Sequence, residues 1–360
     1  MRSFTFQLFS AALLAMGASL AAHAATFCAT TSAELQADLA TAAGNNQDNT
    51  IDVLESTYDV PAGGFVYDSN SNHSLDLEGG WYGSSPGHCL FQEFTGNETV
   101  LDGQNTDPVM NIQTEGTTGN ITVRYFIFQN GLGDPAALVL FAAQSTGAIR
   151  VENSLFRGNH IKTDNHDDPI VGVISDFGVI YFLDNAIVDN VGFPSNVNFP
   201  LHFALYLYSG DIADTFAVYM NNNTIAGNTA TDASPLMGFF PNGGAFTVSN
   251  NIVWDGSISD IYNNSFNAPN MVFANNDVDS FFATPATSID DINKDPKFID
   301  AAHGNFRLMG NSPAGDAGEN SPPGTTRNVD LDGNPRVVFG TVDMGAYEVQ
   351  QEIFADGFGG

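Results

Sequence analysis

The sequence predicts an all-β fold, a single-stranded parallel β-helix, from a polar repeat and from alternating apolar residues. The repeat is Asn or Asp, two residues, an apolar residue, two residues, then Asn or Gly. It occurs in "VENSLFRGN" (151–159), "LDNAIVDN" (183–190), "NNNTIAGN" (221–228) and "SNNIVWDG" (249–256). Its apolar position recurs every 25 to 38 residues, at Phe128, Phe156, Ile187, Ile225, Val253 and Val278. Such periods are typical of solenoids.

Apolar residues also alternate within each period, as in Ile149/Val151 and Phe246/Val248, and this spacing indicates strands. Asparagine tolerates the left-handed backbone region, so the polar positions of the repeat predict corners between strands. Stacked corner asparagines are expected to bond as a ladder, and the apolar residue between them is expected to face the core. About ten coils at the usual interstrand spacing would form a rod on the order of 50 Å long.

A short capping helix is predicted before the repeats. Thr31 and Glu34 form a capping box, Leu35, Leu39 and Ala42 recur at helical spacing, and Gly44 is a helix stop. A solenoid needs such a cap because its first coil exposes strand edges and core. We expect the cap and first coils over 25–105, β-helix repeats over 106–300, a C-terminal cap over 301–349, and a tail over 350–360 that is a candidate sorting signal.

The N-terminus predicts export. Residues 1–24 carry Arg2, an apolar stretch and Ala22-His23-Ala24, which is typical of a signal peptide cleaved after Ala24. Cys28 and Cys89 are then expected to pair in an oxidising compartment. The net charge of −31 argues against nucleic acid as a partner, and no later segment is apolar enough to span a bilayer.

Two stretches carry a family resemblance. "LEGGWYGSSPGHC … TVLDG" and "NSPAGDAGENSPPGTTRNVDLDGNPRVVFGTVDMGAYE" (311–348) resemble bacterial right-handed parallel β-helix proteins with a choice-of-anchor Q domain, within the pectin lyase-like superfamily. The resemblance covers nearly the whole mature chain and implies a right-handed β-helix displayed at the cell surface. It implies no single reaction. In the second stretch, Arg336 is expected to pair with Asp343 or Glu348, because buried arginines are normally paired.

The densest cluster of charged and imidazole groups lies in "RGNHIKTDNHDDP" (157–169). Enzymes of the resembling superfamily use Arg or Lys bases with a cation, or aspartates with His. The candidate catalytic residues are Arg157, Lys162, Asp164, His166, Asp167 and Asp168. The alternative is a solvated loop, since no Gly-His-Gly or Arg-x-Lys motif accompanies them. No metal ligand set is predicted: Asp330 to Asn334 lacks the EF-hand spacing, although so acidic a chain permits Ca²⁺.

The longest interval between repeats contains "VGFPSNVNFPLHFALYLYSG" (191–210). Flat aromatic faces suit sugars or a partner surface. The candidate carbohydrate-binding residues are Phe193, Phe199, Phe203, Tyr206 and Tyr208. The alternative is a strand, His202 to Tyr208, whose alternate aromatics belong to the core.

These observations predict a secreted or cell-surface protein that binds extracellular polysaccharide, or a partner surface, without catalysis. One alternative is a polysaccharide lyase or glycoside hydrolase acting on uronate-containing polymers through the loop at 157–168. Another is an assembly subunit, which would self-associate without affinity for glycans.

Overall fold

The chain folds into a parallel β-helix, as the sequence predicts. The structure is a computed structural model that describes residues 24–85, 88–94, 98–142, 144–162, 169–192, 204–209, 217–230, 237–241, 245–255, 261–263, 271–280 and 287–350. Each coil passes through sheet 1, sheet 2 and sheet 3 and then returns to sheet 1. One such coil consists of the strands Ile149–Glu152, Leu155–Arg157 and Val171–Ser175.

The described strands of each sheet stack in parallel register. Sheet 1 contains Ala25–Ala29, Asn49–Leu54, Leu75–Ser85, Ile121–Arg124, Ile149–Glu152, Ile180–Leu183, Ala217–Asn221, Ala245–Ser249, Met271–Ala274 and Thr287–Ile289, with His88–Gln92 antiparallel to its third strand. Sheet 2 contains Ser56–Asp59, Thr99–Asp102, Ile127–Gln129, Leu155–Arg157, Ala186–Val188, Thr224–Ala226, Ile252–Trp254 and Asp277–Val278. Sheet 3 contains Phe65–Ser69, Met110–Thr114, Leu138–Ala142, Val171–Ser175, Leu205–Ser209, Met237–Pro241 and Ile261–Asn263.

A short sheet follows sheet 2 in four coils. Its strands are Leu132–Gly133, His160–Ile161, Val191–Gly192 and Thr229–Ala230. After the last coil, an antiparallel hairpin joins Phe298–Asp300 to Asn305–Leu308 through the 3-10 turn Ala301–His303.

The repeat builds the corners between sheets 1 and 2. Its first residue has left-handed backbone, with φ of 43° at Asn153, 57° at Asp184, 56° at Asn222 and 59° at Asn250. The apolar repeat residues, from Phe128 to Val278, are all buried in the core. The predictions of sharp corners and inward apolar residues are therefore confirmed.

Two buried asparagine ladders run along the rod, but the first one uses a different residue from the one predicted. It consists of the asparagines that directly follow the left-handed residues in the chain. Asn223 Nδ2 donates to Asn251 Oδ1 at 2.8 Å, and Asn223 Oδ1 accepts from Asn185 N at 2.9 Å. The second ladder uses the last residue of the repeat, as predicted, with Asn190 Nδ2 donating to Asn228 Oδ1 at 2.9 Å. These bonds satisfy corner groups that burial would otherwise leave unpaired.

The predicted capping helix spans Ser32–Gly44, with Thr31 Oγ1 accepting from Glu34 N at 3.2 Å. Leu35, Leu39 and Ala42 are buried against the first coil. The amide of Gln36 also pairs the open edge of sheet 3, because its Nε2 donates to Val66 O at 3.1 Å and its Oε1 accepts from Val66 N at 3.0 Å. The helix thus covers core and satisfies part of the strand edge.

The predicted disulfide is present. Cys28 on the first strand of sheet 1 is bonded to Cys89 on the antiparallel strand, 61 residues away. It joins the edge of the sheet to the hairpin formed by Leu75–Ser85 and His88–Gln92. Such a bond is typical of proteins that fold outside the cytosol. None of the helices in the described ranges is long and apolar enough to cross a membrane.

Residues 305–349 lie lengthwise along the outer face of sheet 2. Phe306, Leu331, Ala346 and Tyr347 bury a second apolar cluster there; its members on sheet 2 include Ile127, Leu155, Ala186, Val188 and Ala226. The left-handed corner residues hold the segment: Asn153 Nδ2 donates to Asp330 O at 3.3 Å, and Asn250 Nδ2 donates to Glu319 O at 2.9 Å. The first residues of the repeat therefore bond mainly to this segment, although Asn250 Nδ2 also donates to Asn222 Oδ1 at 3.4 Å.

Arg336 is buried where the C-terminal segment, residues 305–349, packs against the coils of the β-helix. Its Nη1 donates to Glu348 Oε1 at 3.3 Å, as one of the two predicted pairings requires, and its Nη2 donates to Asp184 Oδ1 at 2.5 Å. Asp343, the other predicted partner, instead accepts from the backbone N–H groups of Asp316 and Val349, each at 2.6 Å. The pairing with Asp184 was not predicted, because that residue lies 152 positions away.

Candidate functional site

Tyr206 and Tyr208 lie on the outer face of sheet 3. They belong to the strand Leu205–Ser209, in which Leu205 and Leu207 point into the core and are buried. The two tyrosines are half-buried, and their rings are nearly parallel, with an interplanar angle of 5° and centroids 6.3 Å apart. The stretch is therefore a strand, as the alternative interpretation held, but its aromatic residues face outward while leucines fill the core.

Glycines flank Tyr206 along the rod. In the sheet register, Tyr206 is paired with Gly172 on one side and Gly238 on the other. The two glycines add no side chain of their own beside the ring, but Pro169 packs over Gly172, with its Cγ 3.0 Å from the position that a Cβ of Gly172 would occupy. Burial and the neighbouring Tyr208 raise the pKa of Tyr206 to about 12, so its phenol stays neutral and able to donate a hydrogen bond at physiological pH.

The other predicted aromatic residues, Phe193, Phe199 and Phe203, lie outside the described residues. The same holds for Asp164, His166, Asp167 and Asp168 of the predicted catalytic loop.

The two described members of that loop have different surroundings. Arg157, at the end of a sheet 2 strand, donates from Nε and Nη2 to Gln129 Oε1 at 3.1 Å and 2.9 Å. Lys162 follows the short sheet, and its backbone N donates to Asp134 Oδ1 at 3.0 Å. Within the described ranges, these two residues share no hydrogen-bond partner.

The carboxylates of the Asp330–Asn334 turn serve the protein's own structure. Asp330 is buried, its Oδ1 accepts from the N–H groups of Asp332 and Asn334 at 3.0 Å and 2.7 Å, and its Oδ2 accepts from Glu348 N at 2.9 Å. Asp332 pairs with Arg307 Nη2 at 2.5 Å. These bonds close the turn and tie it to the C-terminal segment.

Glu55, Glu93 and Glu98 form a carboxylate cluster that sequence reasoning missed. One oxygen from each lies within 4.8 Å of the others, so the group offers the oxygen ligands that hard cations prefer. Burial, followed by the hydrogen bond and charge of Glu98 and the charge of Glu93, raises the pKa of Glu55 to about 7. Nothing in the sequence marks this group, since Glu55 is remote from the other two and only folding brings them together.

Replacing Glu98 with glutamine is expected to stabilise the protein at pH 8 by at most about 1 kcal/mol, because it removes one like charge from a largely exposed cluster. Urea unfolding of the purified chain would measure this effect. Asp68→Asn, which removes an exposed carboxylate outside the cluster, is the control and should leave stability unchanged. A loss of stability in Glu98→Gln would show that the three carboxylates do not repel one another.

Comparison with family models and with curated proteins finds no match to this chain.

Proposed function

We propose that this chain is an exported β-helix protein that binds extracellular polysaccharide along the outer face of sheet 3 without cleaving it. The observation that carries the proposal is the pair of parallel rings of Tyr206 and Tyr208 on the outer face of sheet 3. Flat aromatic rings offer a stacking surface for the apolar faces of sugar units, and the residue paired with Tyr206 on each neighbouring strand is a glycine.

Three other features support export and display. The signal peptide pattern of residues 1–24, the disulfide between Cys28 and Cys89, and the acidic composition suit a protein outside the cytosol. The likeness of residues 311–348 to choice-of-anchor Q proteins points to the cell surface, with the tail at 350–360 as the candidate sorting signal. In this proposal, the rod presents its binding face while the C-terminal segment covers sheet 2.

Replacing Tyr206 and Tyr208 together with alanine is expected to weaken polysaccharide binding by roughly tenfold or more, because each stacked ring contributes about 1 kcal/mol. Affinity electrophoresis against uronate-containing and neutral polysaccharides, with and without calcium, would measure retention. Tyr82→Ala is the matched control, since Tyr82 is an exposed tyrosine stacked on Phe91 in the hairpin of sheet 1.

Retention that survives the double substitution would refute the tyrosine platform. The same samples should be followed for ultraviolet absorbance of unsaturated ends and for reducing sugar. A rise in either signal would contradict non-catalytic binding and favour the lyase or hydrolase alternative, with Arg157 and Lys162 as the first residues to substitute.

A further inference from the structure

A cavity of about 510 Å³ opens between sheet 1 and the C-terminal segment. It lies on a different sheet from the tyrosine pair, on the outer face of the strands Ile149–Glu152 and Ile180–Leu183. Its volume is in the usual range for small-molecule sites. Its lining combines an aromatic ring, hydroxyl and amide groups, and the charged side chains of Arg150, Glu152 and Arg327.

Two arginines share one carboxylate at this cavity. Glu152 Oε1 accepts from Arg150 Nη1 at 3.0 Å, and Glu152 Oε2 accepts from Arg327 Nη1 at 2.8 Å. The Glu152 side chain is 3% exposed, whereas those of Arg150 and Arg327 are 35% and 24% exposed. The carboxylate is therefore enclosed, and it holds two guanidinium groups where a molecule in the cavity can reach them.

The residues that line the cavity carry excess positive charge in a strongly acidic protein. Two lining arginines, Arg150 and Arg327, face one lining carboxylate, Glu152. Asp184 lies behind them, where its Oδ2 accepts from Arg327 N at 3.3 Å, and it is paired with the buried Arg336. The whole chain has only 10 Lys and Arg against 41 Asp and Glu. A local surplus of this sign attracts an anion that the rest of the surface repels.

Aromatic rings fix the two guanidinium groups further. Arg150 lies over the Tyr181 ring with its Cζ 3.8 Å from the centroid, and Tyr181 stacks on Tyr219 at 5.3 Å. Arg327 donates from Nη2 to the Tyr125 hydroxyl. Guanidinium groups that are already ordered lose little side-chain entropy when they bind an anion.

We propose that this cavity binds the oxyanion group of a small acidic sugar, either a carboxylate or a sulfate ester. Arg150 and Arg327 supply the planar, charged donors that match an oxyanion, and Phe94 supplies an exposed ring for the flat face of the sugar. Thr325, Thr326 and Asn328 offer neutral partners for hydroxyl groups. The site is separate from sheet 3 and does not depend on the proposed polysaccharide binding.

Isothermal titration calorimetry on the mature chain at low salt, with glucuronate, glucose 6-sulfate and glucose, tests the proposal. At least one anionic sugar is expected to bind ten times more tightly than glucose. Tighter binding of glucuronate would identify a carboxylate site, and tighter binding of glucose 6-sulfate would identify a sulfate ester site. Arg150→Gln is expected to weaken that binding at least tenfold. Tyr206→Ala should leave it unchanged, which separates this site from the tyrosine pair.

Arg307→Gln is the matched control, because Arg307 also pairs with a carboxylate, Asp332, and lies over a ring, Tyr347 at 4.8 Å, but does not line the cavity. Should Arg150→Gln fail to fold, competition on the unaltered protein provides the test: inorganic sulfate should displace the anionic sugar. Equal affinity for glucose, no binding of either anionic sugar, unchanged binding in folded Arg150→Gln, or no displacement by sulfate would each overturn the proposal.

Discussion

Replacing Arg336 with methionine is expected to lower the free energy of unfolding by about 3–5 kcal/mol, the usual cost of removing one partner from a buried ion pair. Arg336 and Asp184 have side-chain exposures of 1% and 0%, so water cannot take the place of the lost guanidinium. Urea unfolding followed by tryptophan fluorescence or circular dichroism would measure the change.

The cost comes from the carboxyl groups left behind. Even beside Arg336, burial raises the pKa of Asp184 to about 6 and that of Glu348 to about 8. At pH 7 Glu348 already keeps its proton, so without the guanidinium it is Asp184 that must take up a proton or remain charged in the interior. Adding Asp184→Asn to Arg336→Met removes one of these carboxyl groups, so the double variant is expected to be more stable than the single one.

The control is Arg307→Met, which breaks a pair with the partly exposed Asp332 and should cost no more than about 1 kcal/mol. If the cost of Arg336→Met fell within that same range, the buried group of Arg336, Asp184 and Glu348 would not be what holds the C-terminal segment to the coils.

Stability is expected to fall as pH rises from about 4 to about 7, partly through Asp52. Burial and the charge of Glu78 raise the pKa of Asp52 to about 7, and its Oδ1 has no hydrogen-bond partner within the described part of the chain. The folded state therefore keeps a proton that the unfolded chain has already released. The stabilisation is complete below the unfolded pKa and is lost as pH passes through the folded value.

The raised pKa of Asp52 contributes at most about 4 kcal/mol to the free energy of unfolding at low pH. About 2 kcal/mol of this contribution is lost between pH 5.5 and pH 8. Urea unfolding at these two pH values avoids the acidic range in which a chain of net charge −31 approaches neutrality. Asp52→Asn should remove this part of the pH dependence and raise stability at pH 8.

Asp68→Asn, at an exposed position of sheet 3, is the control and should follow the unaltered protein. An equal fall in stability for Asp52→Asn and the unaltered chain would mean that Asp52 is ionised in the folded state at pH 5.5.

Local sequence patterns predicted much of this fold because the residues that form corners and core recur at the same positions of each repeat. Corner residues such as Asn222 and core residues such as Ile225 are specified by the same few positions in every coil. The capping helix depends on Thr31 and Glu34, three residues apart. Contacts across long separations gave no such signal: Asn153 meets Asp330 across 177 residues, and Glu152 meets Arg327 across 175.

The candidate site shows the same limit. Alternation predicted a strand through Leu205–Ser209, but leucines and tyrosines alternate there and both are able to fill a core. Only the stacking of the coils, in which Leu205 and Leu207 pair with the buried Val171 and Val173, places the tyrosines outside. The carboxylate cluster of Glu55, Glu93 and Glu98 likewise exists only once the coils have stacked.

The C-terminal segment also changes how the rod unfolds. A stack of coils that touch only their neighbours behaves as a one-dimensional array and can fray from either end. Here one segment bonds to corner residues from Asn153 to Asn275, and so links coils that never touch each other. Cooperativity then extends along the stack. Since this segment is synthesised after every coil it joins, the outer surface of sheet 2 stays uncovered until the last of those coils has been made.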